Sequence, residues 1–496
     1  MIYMHSVGQA ARVYSERTAL AGGGRRSTFR ELHDRVGDIA ASLTRHGLHA
    51  GDRLALLLPN GPEYIELIYA CAWLGVAAVP VNTRLSAVEI DRVIADAQPR
   101  GLIRHSSLPA PTAAVRWQLV IDRDAWHADG DPAPEPIEDP NATLALIYTS
   151  GTTGHAKGVV VTHANMLANV DHIRYWMAAE DGGVYLHAAP MFHILDLPIM
   201  FASPASETCQ MTIAKFSPRA FCEAVQRERV TRTTLVPTMI ELVTEFTALG
   251  EYDLTTLQHI AYGGSPMAPA LIRRIRDTLP QAKLQQGYGL SEAGFLTVLQ
   301  DQEHIDGRLA SCGRPAPGID VRIVDETGRE MATGQSGEIV ARGGNVMTGY
   351  WNNAEESARA FRDGYLRTGD VGYRDAEGFF FIRDRIKDMI VTGGENVYSG
   401  EVEAVLLEHP AVREAAVFGV PDREWGELVA ASVVLHSGQT VSADELIAFG
   451  RCTLAHYKVP RVIEFSDRDL PKNAAGKIMK RLLRERFWVQ QERAVS

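Results

Sequence analysis

The chain has 496 residues, 46% of them apolar, and a net charge of −11 at pH 7. That length is more than one hydrophobic core organises, so two or more domains are expected, and the acidic balance excludes nucleic acid as a main partner. The start of the chain shows no basic segment followed by an apolar run. The longest apolar stretch, residues 67–81, is too short for a bilayer and contains Gly75 and Pro80. Cys71, Cys209, Cys222, Cys312 and Cys452 are scattered, with neither a metal spacing nor a disulfide framework, so buried reduced thiols in a cytoplasmic protein are expected.

Along the chain, apolar runs alternate with helical periods, as in residues 53–58 followed by 62–74. That alternation predicts layered α/β sheets with parallel strands. No internal repeat is visible. Residues 129–141, rich in Pro and Asp, read as an exposed connection. Next comes an apolar run, residues 144–147, which reads as a buried strand. It enters Y-T-S-G-T-T-G-H-A-K-G at 148–158, and a helix is predicted from near His163. Gly151, Gly154 and Gly158 free the backbone to aim its N–H groups inward. Thr149, Ser150, Thr152, Thr153 and Lys157 add side-chain donors, which together make a polyphosphate cradle. The spacing is not the G-x-x-x-x-G-K-[ST] of the common P-loop.

Further on stand P-M-F-H at 190–193, G-G-S-P at 263–266 and Q-G-Y-G-L-S-E at 286–292. Tyr288 offers a flat face for a purine, and Gly287 and Gly289 permit close backbone approach. Ser291 carries a hydroxyl suited to a phosphate oxygen. Glu292 fits Mg²⁺, which prefers one or two carboxylates plus phosphate oxygens. From Gly313 to Gly349 short runs punctuated by Gly predict antiparallel strands and a small β-barrel. Y-L-R-T-G-D at 365–370 places a carboxylate on a tight turn. R-D-R-I-K-D at 383–388 is highly charged between apolar runs, a candidate hinge before a second α/β domain. V-T-G-G-E-N at 391–396, D-R-E-W-G-E at 422–427 and P-K-N-A-A-G-K-I at 471–478 follow.

These segments, in this order, resemble the adenylate-forming enzymes: acyl-CoA ligases, peptide-synthetase adenylation domains and luciferases. The resemblance runs from about Ala11 to Phe487. It implies an α/β fold with a large AMP-binding domain, residues 1–386, and a mobile domain, residues 387–496, that carries the adenylation lysine. Thr149, Ser150, Gly151, Thr152, Thr153, Gly154, Lys157, Gly264, Ser265, Gly287, Tyr288, Gly289 and Ser291 would contact ATP or AMP. Asp370 would take the ribose hydroxyls and Arg385 would make a second ribose or phosphate contact, with Glu292 on the metal. Lys477 would meet the clash of anion with anion when a carboxylate attacks a phosphate. A cation about 4 Å away is worth on the order of 4 kcal/mol at an effective dielectric near 20.

Lys387 would be the pivot between two orientations of the small domain. Gly393 and Gly394 would line a pantetheine tunnel. Trp425 would stack on the adenine of CoA, with a core Trp as the equal alternative, and Tyr457 is a weaker candidate for that surface. His193 stands where amino-acid-activating relatives place Asp, which favours a plain carboxylic acid. Asp196 replaces a small residue and is expected in a polar or solvated spot. Ala156 replaces Pro, Ser291 replaces Thr, and Ser399 replaces a frequent Pro with no clear reading.

The implied activity is an acid–CoA ligase using ATP, Mg²⁺ and CoA on a fatty or aryl acid. Thr83-Arg84-Leu85, the run 393–398 and Trp425-Gly426-Glu427 look most like the fatty-acyl and feruloyl types. Loading of a carrier protein, or an inactive nucleotide-binding homologue, stay as alternatives. The partners are a small acid and CoA. No transmembrane segment is expected, and peripheral membrane contact, monomer or homodimer, and the acid itself stay open.

Overall fold

A computed structural model describes residues 2–123, 132–149, 156–176, 182–265, 267–392, 395–422, 425–473 and 477–495. Two compact units emerge: residues 1–321 with 341–366, and residues 322–340 with 367–496.

The first unit is built on two sheets. One has nine strands, in the order Arg314–Pro315, Gly294–Leu299, Lys283–Leu290, His259–Gly263, Arg232–Leu235, Val184–His187, Cys209–Thr212, Thr18–Gly22 and Arg25–Thr28. Its middle is parallel and its edges antiparallel. The other has seven: Gly349–Tyr350, Lys157–Thr162, Thr143–Thr149, Ala77–Pro80, Arg53–Leu57, Gly101–Arg104 and Trp117–Val120.

Parallel strands need crossover helices, and the sequence supplies them with clear start signals. Ala87–Ala97 starts on a Ser86–Glu89 capping box, and Phe29–Arg45, which links the two sheets, on Thr28–Glu31. Each box satisfies two backbone N–H groups that the helix leaves orphaned. Pro62–Leu74 opens on Pro, is apolar on nearly every face and is buried at every position but Glu63. A core cluster under the nine-stranded sheet includes Phe221, Val225, Ile240, Ile260 and Leu284.

The stretch after Gly313, where a small barrel is expected, forms a five-stranded sheet. Its strands are Asp320–Val324, Gly337–Arg342, Phe361–Arg362, Tyr365–Arg374 and Phe380–Arg385.

The second unit carries another five-stranded sheet. A long hairpin, Val412–Asp422 with Gly426–Leu435, pairs with Ile390–Thr392 and Val462–Phe465. Ser399–Leu407 buries Val402, Val405 and Leu406 against that sheet.

The cysteine expectation holds at four positions and fails at one. Cys71, Cys209, Cys222 and Cys312 are buried free thiols, but Cys452 is exposed, because it caps the surface end of Ala443–Arg451. No helix among the described residues is long and apolar enough to cross a membrane.

Candidate active site

The predicted phosphate loop hangs between the antiparallel strands Thr143–Thr149 and Lys157–Thr162, whose last pairs are Tyr148 with Gly158 and Thr149 with Lys157. Ser150, Gly151, Thr152, Thr153 and Gly154 lie outside the described residues. Lys157, expected as a phosphate donor, is already engaged. Its ammonium pairs with the Glu356 carboxylate and lies 5.3 Å from the centre of the Tyr350 ring. A cavity of about 590 Å³ opens beside it, lined by Arg92, Asp96, Lys157, Trp351, Asn353 and Glu356.

The nucleotide motifs sit at the carboxyl ends of two neighbouring parallel strands, His259–Gly263 and Lys283–Leu290, with Gly263 opposite Gly287. Open α/β sheets bind ligands at such ends. Gly264 follows with φ +82°, a conformation that side chains with a Cβ rarely adopt, and Ser265 comes next. At Gly289 a Cβ would lie 1.8 Å from the Gly294 carbonyl oxygen, so only glycine fits. Tyr288 is 8% exposed, so its ring is largely covered in this structure. Ser291 and Glu292 lie on the turn between Lys283–Leu290 and Gly294–Leu299. Glu292 Oε1 accepts a hydrogen bond from the Tyr350 hydroxyl at 2.9 Å. Among the described residues no group of three or more His, Cys, Asp or Glu could cage a metal. A single carboxylate suits Mg²⁺, which takes the rest of its oxygens from phosphates and water.

The loop carrying Phe192 and His193 is fixed by Asn60. That amide donates to the Ala189 carbonyl at 2.7 Å and accepts from the Met191 N–H at 3.0 Å. The His193 ring lies 4.5 Å from that of Phe192. Its Nε2 is buried and has no hydrogen-bond partner among the described residues. Burial, helped by the Arg84 charge, pushes the imidazole down to about 4, so it is neutral at pH 7.

A narrow cavity of about 30 Å³ is bounded by Leu195, Ile199, Thr234, Ala261, Tyr262 and Phe295, among others. Leu195 and Ile199 follow the P-M-F-H motif, and Ala261 and Tyr262 precede the G-G-S-P motif. It holds about one water, so a substrate of any size must displace side chains.

Of the two surroundings expected for Asp196, polar or solvated, the structure gives the polar one. It is 1% exposed and accepts from His187 Nδ1 at 2.7 Å. His187 Nε2 lies 3.1 Å from Gln210 Oε1, and the Gln210 amide donates to Tyr69 at 2.8 Å. This buried chain takes the carboxylate away from the acyl cavity.

The second unit holds the remaining candidates. Asp370 and Arg385 are cross-strand partners, with Arg385 Nε 3.1 Å from Asp370 Oδ1. Lys387 lies in the turn between Phe380–Arg385 and Ile390–Thr392, and its carbonyl accepts from Arg484. Burial first, then Arg385, holds its ammonium below the usual lysine range.

Lys477 is held by its backbone. Its N–H donates to Asn473 Oδ1 at 2.9 Å and its carbonyl accepts from the Asn473 N–H at 2.8 Å. Burial, then the Arg385 charge, lowers its ammonium to about 8, while Asp370 and Asp388 oppose that shift. Trp425 is exposed, with the Arg461 guanidinium 5.7 Å from its ring, which overturns the core-Trp alternative. Tyr457 packs partly buried against the core of this unit. Gly393 and Gly394 lie outside the described residues. Ser399, unread in the sequence, is fully buried: its hydroxyl donates to Asp384 at 2.7 Å and accepts from Lys480 at 2.5 Å. A Pro there makes neither bond.

The sequence reading passed over Asn60, Tyr350 and Glu356. Asn60 and Glu356 carry no local signal. The aromatic pair Tyr350-Trp351 directly after Gly349, in a polar stretch, is a signal that was available.

Glycine-lined strand ends, the hydroxyl-rich sequence at 149–153 and a buried neutral His193 fit the class of adenylate-forming enzymes. The AMP-binding enzyme model matches residues 7–351 and the AMP-binding enzyme C-terminal domain model matches residues 401–477. The chain belongs to the AMP-binding enzyme family.

Among its relatives is a feruloyl-CoA synthase of Amycolatopsis sp, 38% identical, covering 96% of this chain and 97% of that one. A fatty acid–[acyl-carrier-protein] ligase of Streptomyces coeruleorubidus is 36% identical over 95% of this chain and 94% of its own. A similar solved structure is o-succinylbenzoate CoA synthetase of Bacillus subtilis in complex with its acyl-adenylate intermediate. It has a TM-score of 0.85 and 32% identity, covering 96% of this chain and 97% of that one.

Proposed function

We propose that the chain is an AMP-forming acid–CoA ligase acting on a fatty or an aryl acid of the hydroxycinnamic kind. The observation that carries the substrate reading is the pair of environments around His193 and Asp196. Nε2 of a neutral, buried His193 is free to meet a substrate, while Asp196, three residues on, is bound to His187. A pocket that lacks a free carboxylate penalises a buried ammonium and accepts a plain acid.

In the first step a carboxylate oxygen of the acid attacks the α-phosphorus of ATP, and pyrophosphate leaves. In the second the CoA sulfur attacks the acyl carbon, the thiol proton passes to solvent, and AMP leaves. Asp370 takes the ribose hydroxyls and Arg385 supports it. Ser291 and the loop donors Thr149, Ser150, Thr152, Thr153 and Lys157 hold the phosphates. Glu292 would hold Mg²⁺, which screens phosphate charge when bound. Lys477 places its cation on the attacked phosphate, and Lys387 is the pivot at the boundary of residues 1–386 and 387–496. Trp425, with Gly393 and Gly394, serves CoA. The exposure of Trp425 beside Arg461 supports stacking of an adenine there.

The second reading, transfer to a carrier protein, is favoured by the Streptomyces relative. Purified protein tested with aliphatic, benzoic and cinnamic acids separates the two. CoA-dependent AMP release with one acid class is expected. Acyl-AMP that accumulates and ignores CoA would give the carrier-protein reading.

The lowered lysine sets a pH limb. Lys477 must be cationic to act, and its charge is lost as pH rises through about 8, against about 10.4 for an ordinary lysine. In kcat/KM for acyl-AMP formation, which reports the free enzyme, activity should fall above about pH 8. A plateau persisting to pH 10 would contradict the assignment.

A further inference from the structure

One aromatic side chain touches both the lysine of the phosphate loop and the candidate metal carboxylate. The Tyr350 ring lies 5.3 Å from Lys157 Nζ, within the range where a cation is drawn to the π face. Its hydroxyl donates to Glu292 Oε1 at 2.9 Å. Glu292 Oε2 has no protein partner among the described residues. Glu356 closes the far side of Lys157 with an ion pair.

The backbone around Tyr350 is fixed to both neighbours. Tyr350 pairs antiparallel with Val159, on the strand that leaves the phosphate loop. The Trp351 N–H donates to the Gly158 carbonyl at 2.7 Å, and the Met347 N–H donates to the Glu292 carbonyl at 2.8 Å. The Tyr350 N–H donates to Ser357 Oγ at 2.8 Å, and Asn353 caps Glu356 with a 3.1 Å bond to its N–H. A residue held this firmly fixes what its side chain touches.

We propose that Tyr350 is a positioning residue for phosphate and metal binding: its hydroxyl orients the Glu292 carboxylate for Mg²⁺, and its ring, with Glu356, holds Lys157 toward the phosphates. The two functions sit on different parts of one side chain and can be removed separately. The inference rests on the adenylating reading above.

The test measures ATP binding by calorimetry as Mg²⁺ is varied, with no acid present and therefore no turnover. Tyr350→Phe keeps the ring and loses the hydroxyl. It should raise the Mg²⁺ concentration for half-maximal ATP binding by about 10-fold, the low end for loss of a hydrogen bond to a metal ligand. ATP binding without Mg²⁺ and AMP binding should stay as in the wild type. Tyr350→Leu loses both parts and should also weaken ATP binding without Mg²⁺, as should Glu356→Gln, which leaves the Mg²⁺ midpoint unchanged.

An unchanged Mg²⁺ midpoint in Tyr350→Phe overturns the inference. So does a loss of AMP binding as large as the loss of Mg-dependent ATP binding, since that marks a general structural role. A wild-type protein whose ATP binding ignores Mg²⁺ overturns the adenylating reading and this inference with it.

Discussion

Lys477→Ala is expected to slow acyl-AMP formation about 10²–10³-fold, the usual cost of one preorganised charge-stabilising group. The lysine sits in a turn closed by two bonds to Asn473, so its cation is presented from a fixed backbone. Its partial burial lowers its proton affinity, and a charge drawn away from water does more electrostatic work. Thioester formation from supplied acyl-AMP should be far less affected, because the proposed pivot at Lys387 retracts Lys477 before CoA attacks. Single-turnover assays of the two half-reactions check this. Equal losses in both would contradict a two-orientation cycle.

Asp196→Ala should lower stability by about 3 kcal/mol, the order expected when one partner of a buried, hydrogen-bonded pair is removed. His187 would be left in a dry site, 0% exposed, with Nδ1 unpaired. Denaturant midpoints measure the loss. The double variant with His187→Ala should lose clearly less than the two single losses summed, because the pair acts as a unit. A carboxylate facing solvent or the acyl cavity would instead cost less than about 0.5 kcal/mol.

Asp196 marks where the sequence stops being informative. The position, beside the acyl segment, is legible from local motif order. Its partner His187 comes from the strand Val184–His187, and the chain continues to Gln210 on a neighbouring strand and to Tyr69 in a helix. Only the packed fold brings these together. The same holds for Lys157, Glu292 and Tyr350, which are far apart in sequence.

The strand at Thr143–Thr149 was legible because its apolar run is a local signal. So was the helix at His163–Trp176. The roughly 30 Å³ size of the cavity at Leu195, Ile199 and Ala261 was not legible, since side-chain packing sets it. The exposure of Trp425 and of Cys452 also depends on packing: the two readings of Trp425 stood level in the sequence, and the buried thiol expected at Cys452 is exposed.

The central claim is the chemistry at the α-phosphate, and the nucleotide product tests it most directly. Purified protein is incubated with Mg-ATP, CoA and an accepted acid, and the nucleotides are separated by chromatography. AMP and pyrophosphate are expected in equal amounts, matched by thioester. ADP and inorganic phosphate as the products would contradict it.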